Sequence, residues 1–226
     1  MKVMNLQIFY LTFPFLLLLG ACAENTTTDA TTDATTAPIA SPVENAKLID
    51  FSAVPSGEYQ MDKTHGYVSF SYNHLGYSQP VLRYSGFDAN VSLDTQRPEL
   101  STLNVSIDTR SLDSGVTELN ERLMKDDFFD ADNHPKITFT SKSIDLKSSS
   151  SGTLIGDLTI KGVTKSVSLD AVLNGASPHP RGKVPTFGIT ATTQLDRSDF
   201  NIGYLVPHVG ADIEITISAE FNLIAN

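Results

Sequence analysis

An all-β, antiparallel domain carrying one short α-helix is the fold class this sequence predicts, on three observations. From about residue 55 onward, apolar side chains recur at every second position, the signature of strands with one buried face. Gly, Pro, Asn and Asp break these runs at short intervals, as antiparallel turns require. Only one segment switches to a helical spacing.

The elements follow in order. Val68, Phe70 and Tyr72 alternate with Ser69 and Ser71, and weaker strands are predicted over 81–84 and 89–94. Leu103, Val105 and Ile107 alternate with Asn104, Ser106 and Asp108. The helix falls within 115–126, where Leu119 and Leu123 stand four apart among Glu118, Glu121, Arg122 and Lys125, with Ser114 or Thr117 as candidate N-cap. Strands are then predicted over 136–146 and 153–161, along the stripe Val167, Leu169, Ala171, Leu173, and over 187–195. The clearest strand is the last. Ile213, Ile215, Ile217, Ala219, Phe221 and Leu223 share one parity, and Glu214, Thr216, Ser218, Glu220 and Asn222 take the other. A β-sandwich and a closed barrel both satisfy this pattern, and periodicity alone does not choose.

Composition narrows the function. The chain has 226 residues, 40% of them hydrophobic, a formal net charge of -10 and a pI near 4.8. That size and apolar content suffice for one domain with a substantial core. Nucleic acid is excluded as an expected partner, because phosphate binding needs clustered Lys and Arg. With one cysteine, the domain holds no disulfide and rests on its core.

The N-terminus has a different character. Lys2 precedes a short apolar run over 8–19, too short for a membrane-spanning helix, and it reads as a signal peptide. Leu19-Gly20-Ala21-Cys22 resembles a bacterial lipobox, which implies lipidation of Cys22 and cleavage before it. Ordinary secretion is the rival, since Ala21-Cys22-Ala23 also fits small-residue cleavage. Thr27-Thr28-Asp29-Ala30 then repeats as Thr31-Thr32-Asp33-Ala34, a small, polar composition with nothing to bury. The expected organisation is a lipoprotein signal peptide over 1–21, a flexible tether over 22–54 and a folded domain over 55–226. A tether of about 28 flexible residues reaches on the order of 30 Å. Ala23 rather than Asp after Cys22 resembles the sorting pattern for the periplasmic side of the outer membrane, with a soluble periplasmic protein as the alternative.

Specific residues decide between the two architectures. Tyr59-x-Met61-Asp62-x-x-His65, then Val68-x-Phe70 and His74-x-Gly76, resembles the opening of the YceI-like family. Leu123-x-x-x-x-Phe128-Phe129-Asp130 followed by Pro135-x-Ile137-Thr138-Phe139-x-Ser141 resembles its central motif. Gly156-x-Leu158-Thr159-Ile160-x-Gly162-Val163-Thr164-Lys165, Arg197-x-Asp199-Phe200 and the stretch 209–221 complete the likeness. The sequence departs at Gly66, where Ser or Thr is common, and at Asn201, where Gly is common. The resemblance implies an extended, lipocalin-like, eight-stranded antiparallel β-barrel with one short helix. It also implies a lumen that holds a polyisoprenoid, an isoprenoid quinone or another long-chain lipid, and it allows a homodimer.

An eight-stranded barrel is the size whose interior is either filled by side chains or hollow enough for one ligand. An apolar lumen suits a prenyl or alkyl chain because burial is non-directional and scales with area. Ten buried carbons contribute roughly 8 kcal/mol gross, so affinity beyond micromolar calls for a longer chain once association costs are subtracted. The expected lining residues are Phe70, Tyr72, Leu93, Val105, Ile107, Leu119, Leu123, Phe128, Phe129, Phe139, Leu158, Leu169 and Ile215. Phe128 and Phe129 either close one end or staple the helix to the sheet. His74, Arg83 and Arg197 are the candidate head-group contacts, against a reading of each as an ordinary surface or turn residue.

Chemistry on the ligand is not expected. The five histidines show no i, i+4 pair and no cysteine partner, so no zinc motif arises. Nucleophile elbows, dinucleotide turns and phosphate loops are absent. Asp130-Ala131-Asp132-Asn133-His134 hints at a calcium loop, but Pro135 and Ser141 stand where that loop needs Gly and Glu, so it reads as a turn. No catalytic residue, cofactor or metal site is predicted. The rivals to a carrier are an envelope redox or stress accessory acting on an isoprenoid quinone, and an interaction protein with a filled barrel.

Overall fold

The computed structural model describes residues 50–225. The predicted signal peptide, Cys22 and all of the tether up to residue 49 lie outside the described residues.

Among the described residues, ten strand segments and one α-helix make up the fold: β1 (Gly57–His74), β2 (Val81–Tyr84), β3 (Phe87–Leu93), β4 (Thr102–Asp108), β5 (Leu112–Asp113), α1 (Thr117–Leu123), β6 (Lys136–Leu146), β7 (Ser151–Ile160), β8 (Val163–Pro178), β9 (Pro185–Asp196) and β10 (Val209–Leu223). Pairing is antiparallel throughout, and β10 pairs back onto β1 from Tyr59↔Leu223 to His74↔Val209, which closes the sheet. β1 pairs with β3 through its first residues and with β2 through its last, so β2 and β3 are halves of one interrupted strand. β5 continues β4 past a 3-10 turn at Thr109–Ser111 and pairs with β2. The ten segments therefore form a closed barrel of eight strands with one helix. Closure selects the barrel over the sandwich and removes every exposed sheet edge.

The strands alternate from one barrel end to the other. Loops 94–101, 147–150 and 179–184 gather with Phe51 at one end, here the tether end. Loops 75–80, 161–162 and 197–208 gather with α1 at the other, the helix end. The wall begins earlier than residue 55, the expected domain start. Val54 is buried and the Phe51 ring meets Phe187 edge-on at 5.4 Å, because this pair caps the apolar cluster around Tyr59 and Phe221.

Local details follow from packing. β1 shifts register between Met61 and Gly66, a bulge that lifts Asp62–His65 outside the ladder. A Cβ on Gly66 would stand 2.7 Å from Met61 Sδ and 3.0 Å from Phe87 Cζ, which accounts for Gly in place of Ser or Thr. Asn201 has φ 57° at the end of the 3-10 turn Arg197–Phe200, a left-handed site where Asn substitutes for Gly. The helix N-cap differs from both candidates. Val116 occupies it without a side-chain bond, because Ser114 Oγ accepts from Val116 N–H while Ser114 N–H donates to Asn120 Oδ1. Thr117 is the first helical residue.

Candidate functional site

The barrel interior is hollow. Three chambers of about 140, 120 and 160 Å³ follow one another along the axis. The central one shares Leu103, Leu154, Ala171 and Ile189 with the chamber at the tether end. It shares Phe70, Phe129, Ile160 and Ile213 with the chamber at the helix end. An apolar cavity near 150 Å³ stays dry and accepts a benzene-sized guest. Inward side chains confirm the hollow: Ile213, Ile215 and Ile217 of β10 all point inward and are all only half-buried. In a filled core each would be covered by its neighbours.

The structure places all thirteen expected lining residues on this wall. Val105, Ile107, Phe139, Leu158, Leu169 and Ile215 border the central chamber, and Phe70 and Phe129 border both it and the helix-end chamber. Tyr72, Leu119, Leu123 and Phe128 border the helix-end chamber, and Leu93 the tether-end chamber. Lining residues not expected from the sequence include Met61, Tyr84, Phe87, Ile189 and Ala191; strand parity was the available signal for all but Met61, which the β1 bulge puts out of phase with Val68 and Phe70. Apart from Tyr84 and Thr193, the side chains around the central chamber carry no hydrogen-bonding hydroxyl, amide or charge. The Tyr84 hydroxyl is buried without a hydrogen-bond partner, and burial pushes its pKa upward.

The two phenylalanines after α1 divide the roles offered for them. Phe129 turns into the lumen and meets Tyr84 edge-on at 6.3 Å. Phe128 staples the helix end. Its ring lies 5.4 Å from Tyr204, with the Arg122 guanidinium 4.7 Å above it and 5.1 Å from the Tyr204 ring. Asp127 pairs with Arg122, and that pairing raises the pKa of Arg122 and lowers that of Asp127.

The three head-group candidates separate. His74 borders the helix-end chamber, its ring edge-on to Tyr72 at 6.4 Å. Arg83 does not reach the lumen. It stands between inward Leu82 and Tyr84, so strand parity turns it outward, where it pairs with Asp113 at 3.2 Å. Arg197 is buried beside the chamber, but its donors are occupied by backbone carbonyls: Gly210 at 2.9 Å, Ile202 at 2.5 Å, Tyr204 at 3.1 Å and Val209 at 2.9 Å. Burial lowers its pKa. It is a clamp on the loop 197–208, not a free cation for a ligand.

One donor set escaped the sequence because β10 supplies part of it. Asp62 and His65 on the β1 bulge and Glu220 on β10 bring ligand atoms within 4.8 Å of one another on the outer wall, a set able to hold a divalent ion. The imidazole already bonds Asp62 at 2.9 Å. That hydrogen bond and those from Thr64 lower the Asp62 pKa from 3.8 to about 2. The bond to Asp62, aided by the charge of Glu220, raises His65 above 6.5. The His65 contribution to stability is complete below pH 6.5 and disappears as pH rises through its raised folded value. The Asp62 contribution is complete above pH 3.8 and disappears as pH falls through about 2. The clasp is thus intact from about pH 4 to the raised His65 titration point. Asp62→Asn should lower the His65 midpoint toward its ordinary value in an NMR pH series, with Glu220 retaining part of the rise; an unmoved midpoint would show that the clasp does not form.

A closed antiparallel barrel of eight strands around a long apolar hollow defines a lipocalin-like barrel. The match to known proteins is closer than that class. The YceI-like domain model matches residues 59–221, and the chain belongs to this family. Protein YceI of Escherichia coli is 34% identical over 167 residues, covering 73% of this chain and 86% of its own. The crystal structure of the Campylobacter jejuni YCEI protein is similar at 28% identity and TM-score 0.62, over 68% of this chain and 90% of that one. A polyisoprenoid-binding domain from Saccharophagus degradans shares the fold at 14% identity and TM-score 0.56, over 74% of this chain and 98% of its own.

Proposed function

We infer that the protein binds and carries a long apolar amphiphile in its lumen, within the bacterial envelope, without performing chemistry on it. The carrying observation is the run of three apolar chambers along the barrel axis. Its length suits a polyisoprenoid, the prenyl tail of a quinone or another long-chain lipid. The polyisoprenoid-binding domain with the same fold supports that choice. An interior of hydrocarbon offers affinity proportional to buried area and little to activate a reacting group. Lipidation at Cys22 would hold the barrel at the periplasmic face of the outer membrane, with the tether as spacer.

Protein purified from its own host should release a long-chain lipid on organic extraction, at near one molecule per chain by native mass spectrometry. Clean apo protein that ignores added polyprenols and isoprenoid quinones would remove the carrier reading. Radioactive fatty acid should label the wild type and fail to label Cys22→Ala.

A further inference from the structure

The two barrel ends differ in charge: the tether-end loops 94–101, 147–150 and 179–184 carry Arg97, Lys147, Arg181 and Lys183 against Asp94 and Glu99. In a chain of net charge -10, the β8–β9 turn over 179–184 carries His179, Arg181 and Lys183 and no acid. Arg181 and Lys183 are exposed, and among the described residues no carboxylate pairs with either. Exposed Val184, Val172 and Leu146 stand at the same end. Val172 and Leu146 are at the rim of the tether-end chamber, where Phe51 and Phe187 form part of the wall. Basic groups beside exposed aliphatic side chains are the composition that binds an anionic lipid surface.

We propose that the tether end docks on an anionic lipid bilayer, with Arg181 and Lys183 on the head groups and Val184, Leu146 and Val172 at the interface. Three observations select this end and this partner. The positive turn complements anionic head groups and not neutral ones. The chain leaves the barrel here, at Phe51, toward the N-terminal segment that carries Cys22. The tether-end chamber lies directly behind this rim, which shortens the path of a lipid between bilayer and barrel. The helix end also exposes apolar side chains, Tyr77 and Leu205 among them. Its connection 114–135, however, carries Glu118, Glu121, Asp126, Asp127, Asp130 and Asp132 against Arg122 and Lys125, and an anionic surface repels that balance. The use of such docking rests on the carrier reading; the docking itself does not.

The chain contains no Trp, so single reporters are clean. Val184→Trp marks the basic turn and Tyr77→Trp the opposite end, each in the full chain. Each is mixed with vesicles of phosphatidylcholine and about one third phosphatidylglycerol, brominated in the acyl chains. The Val184→Trp reporter should shift to the blue and be quenched, and the Tyr77→Trp reporter should do neither. Vesicles of phosphatidylcholine alone should give little response. Adding Arg181→Ser and Lys183→Ser should move the docking equilibrium roughly thirtyfold toward the free state, at about fivefold per basic residue. A response from Tyr77→Trp alone, from neither reporter, or one indifferent to the two serine substitutions overturns the proposal. Uptake of a fluorescent polyprenol from detergent micelles, measured on the same proteins, reads the lumen without a bilayer. Its failure would sink the carrier reading and leave the docking result standing.

Discussion

Replacing Ala171 by Phe should leave the barrel folded and lower its affinity for a long-chain lipid by at least a hundredfold. Ala171 lies on β8 in register with Gly152 and Ala191, and its small side chain borders both the central and the tether-end chambers. A phenyl group there occupies the junction and confines a ligand tail to what remains on one side. Excluding one five-carbon isoprene unit removes about 4 kcal/mol of burial, which is nearly a thousandfold in affinity. The ring enters an existing hollow rather than a close-packed core, so the overpacking penalty of about 1–3 kcal/mol is expected to be reduced. Ser168→Phe is the control. It lies on the same strand but is exposed on the outer face, and it should bind as the wild type does. Titration with a fluorescent polyprenol and far-UV circular dichroism separate the two variants. Equal affinity in both would mean that the ligand, if one binds, does not run through the junction.

The parts of this molecule that sequence could reveal are those governed by neighbouring residues. The stripe from Ile213 to Leu223 faces inward as a period of two requires, and β6, β7 and β9 begin and end within two residues of the expected positions. Arg83 was legible too: standing between Leu82 and Tyr84, its parity already pointed outward. Closure was not legible from periodicity, because the pairing of β1 with β10 joins residues about 150 apart and leaves no local trace. Whether the interior is hollow was hidden for a related reason. Ile215 has the same character in a packed core as in a lumen wall, and only the positions of the opposing strands set the gap. The β1 bulge hid the company of His65, since Glu220 meets it only after the sheet has closed.

Arg197 is where local reading and structure diverge most, and its replacement should be the most damaging to stability. Arg197→Met should cost about 3–5 kcal/mol, lowering the melting temperature by roughly 10 °C. The guanidinium is a planar fork of five donors, and here it gathers carbonyls from Ile202, Tyr204, Val209 and Gly210 onto one buried point. Methionine fills similar volume but leaves these acceptors without a donor, at about 1–3 kcal/mol for each that stays buried. Some recover water as the loop opens, so the costs do not simply add. Arg197→Lys should rescue little, because an ammonium is a compact point and cannot reach four carbonyls spread around a plane. The loop also carries Tyr204 and Leu205, which border the helix-end chamber, so loosening it should speed lipid release as well as weaken the fold. Thermal denaturation and lipid dissociation rates, measured on both variants, read the two effects apart. Wild-type stability in Arg197→Met would mean that the loop is held by its apolar contacts and not by the clamp.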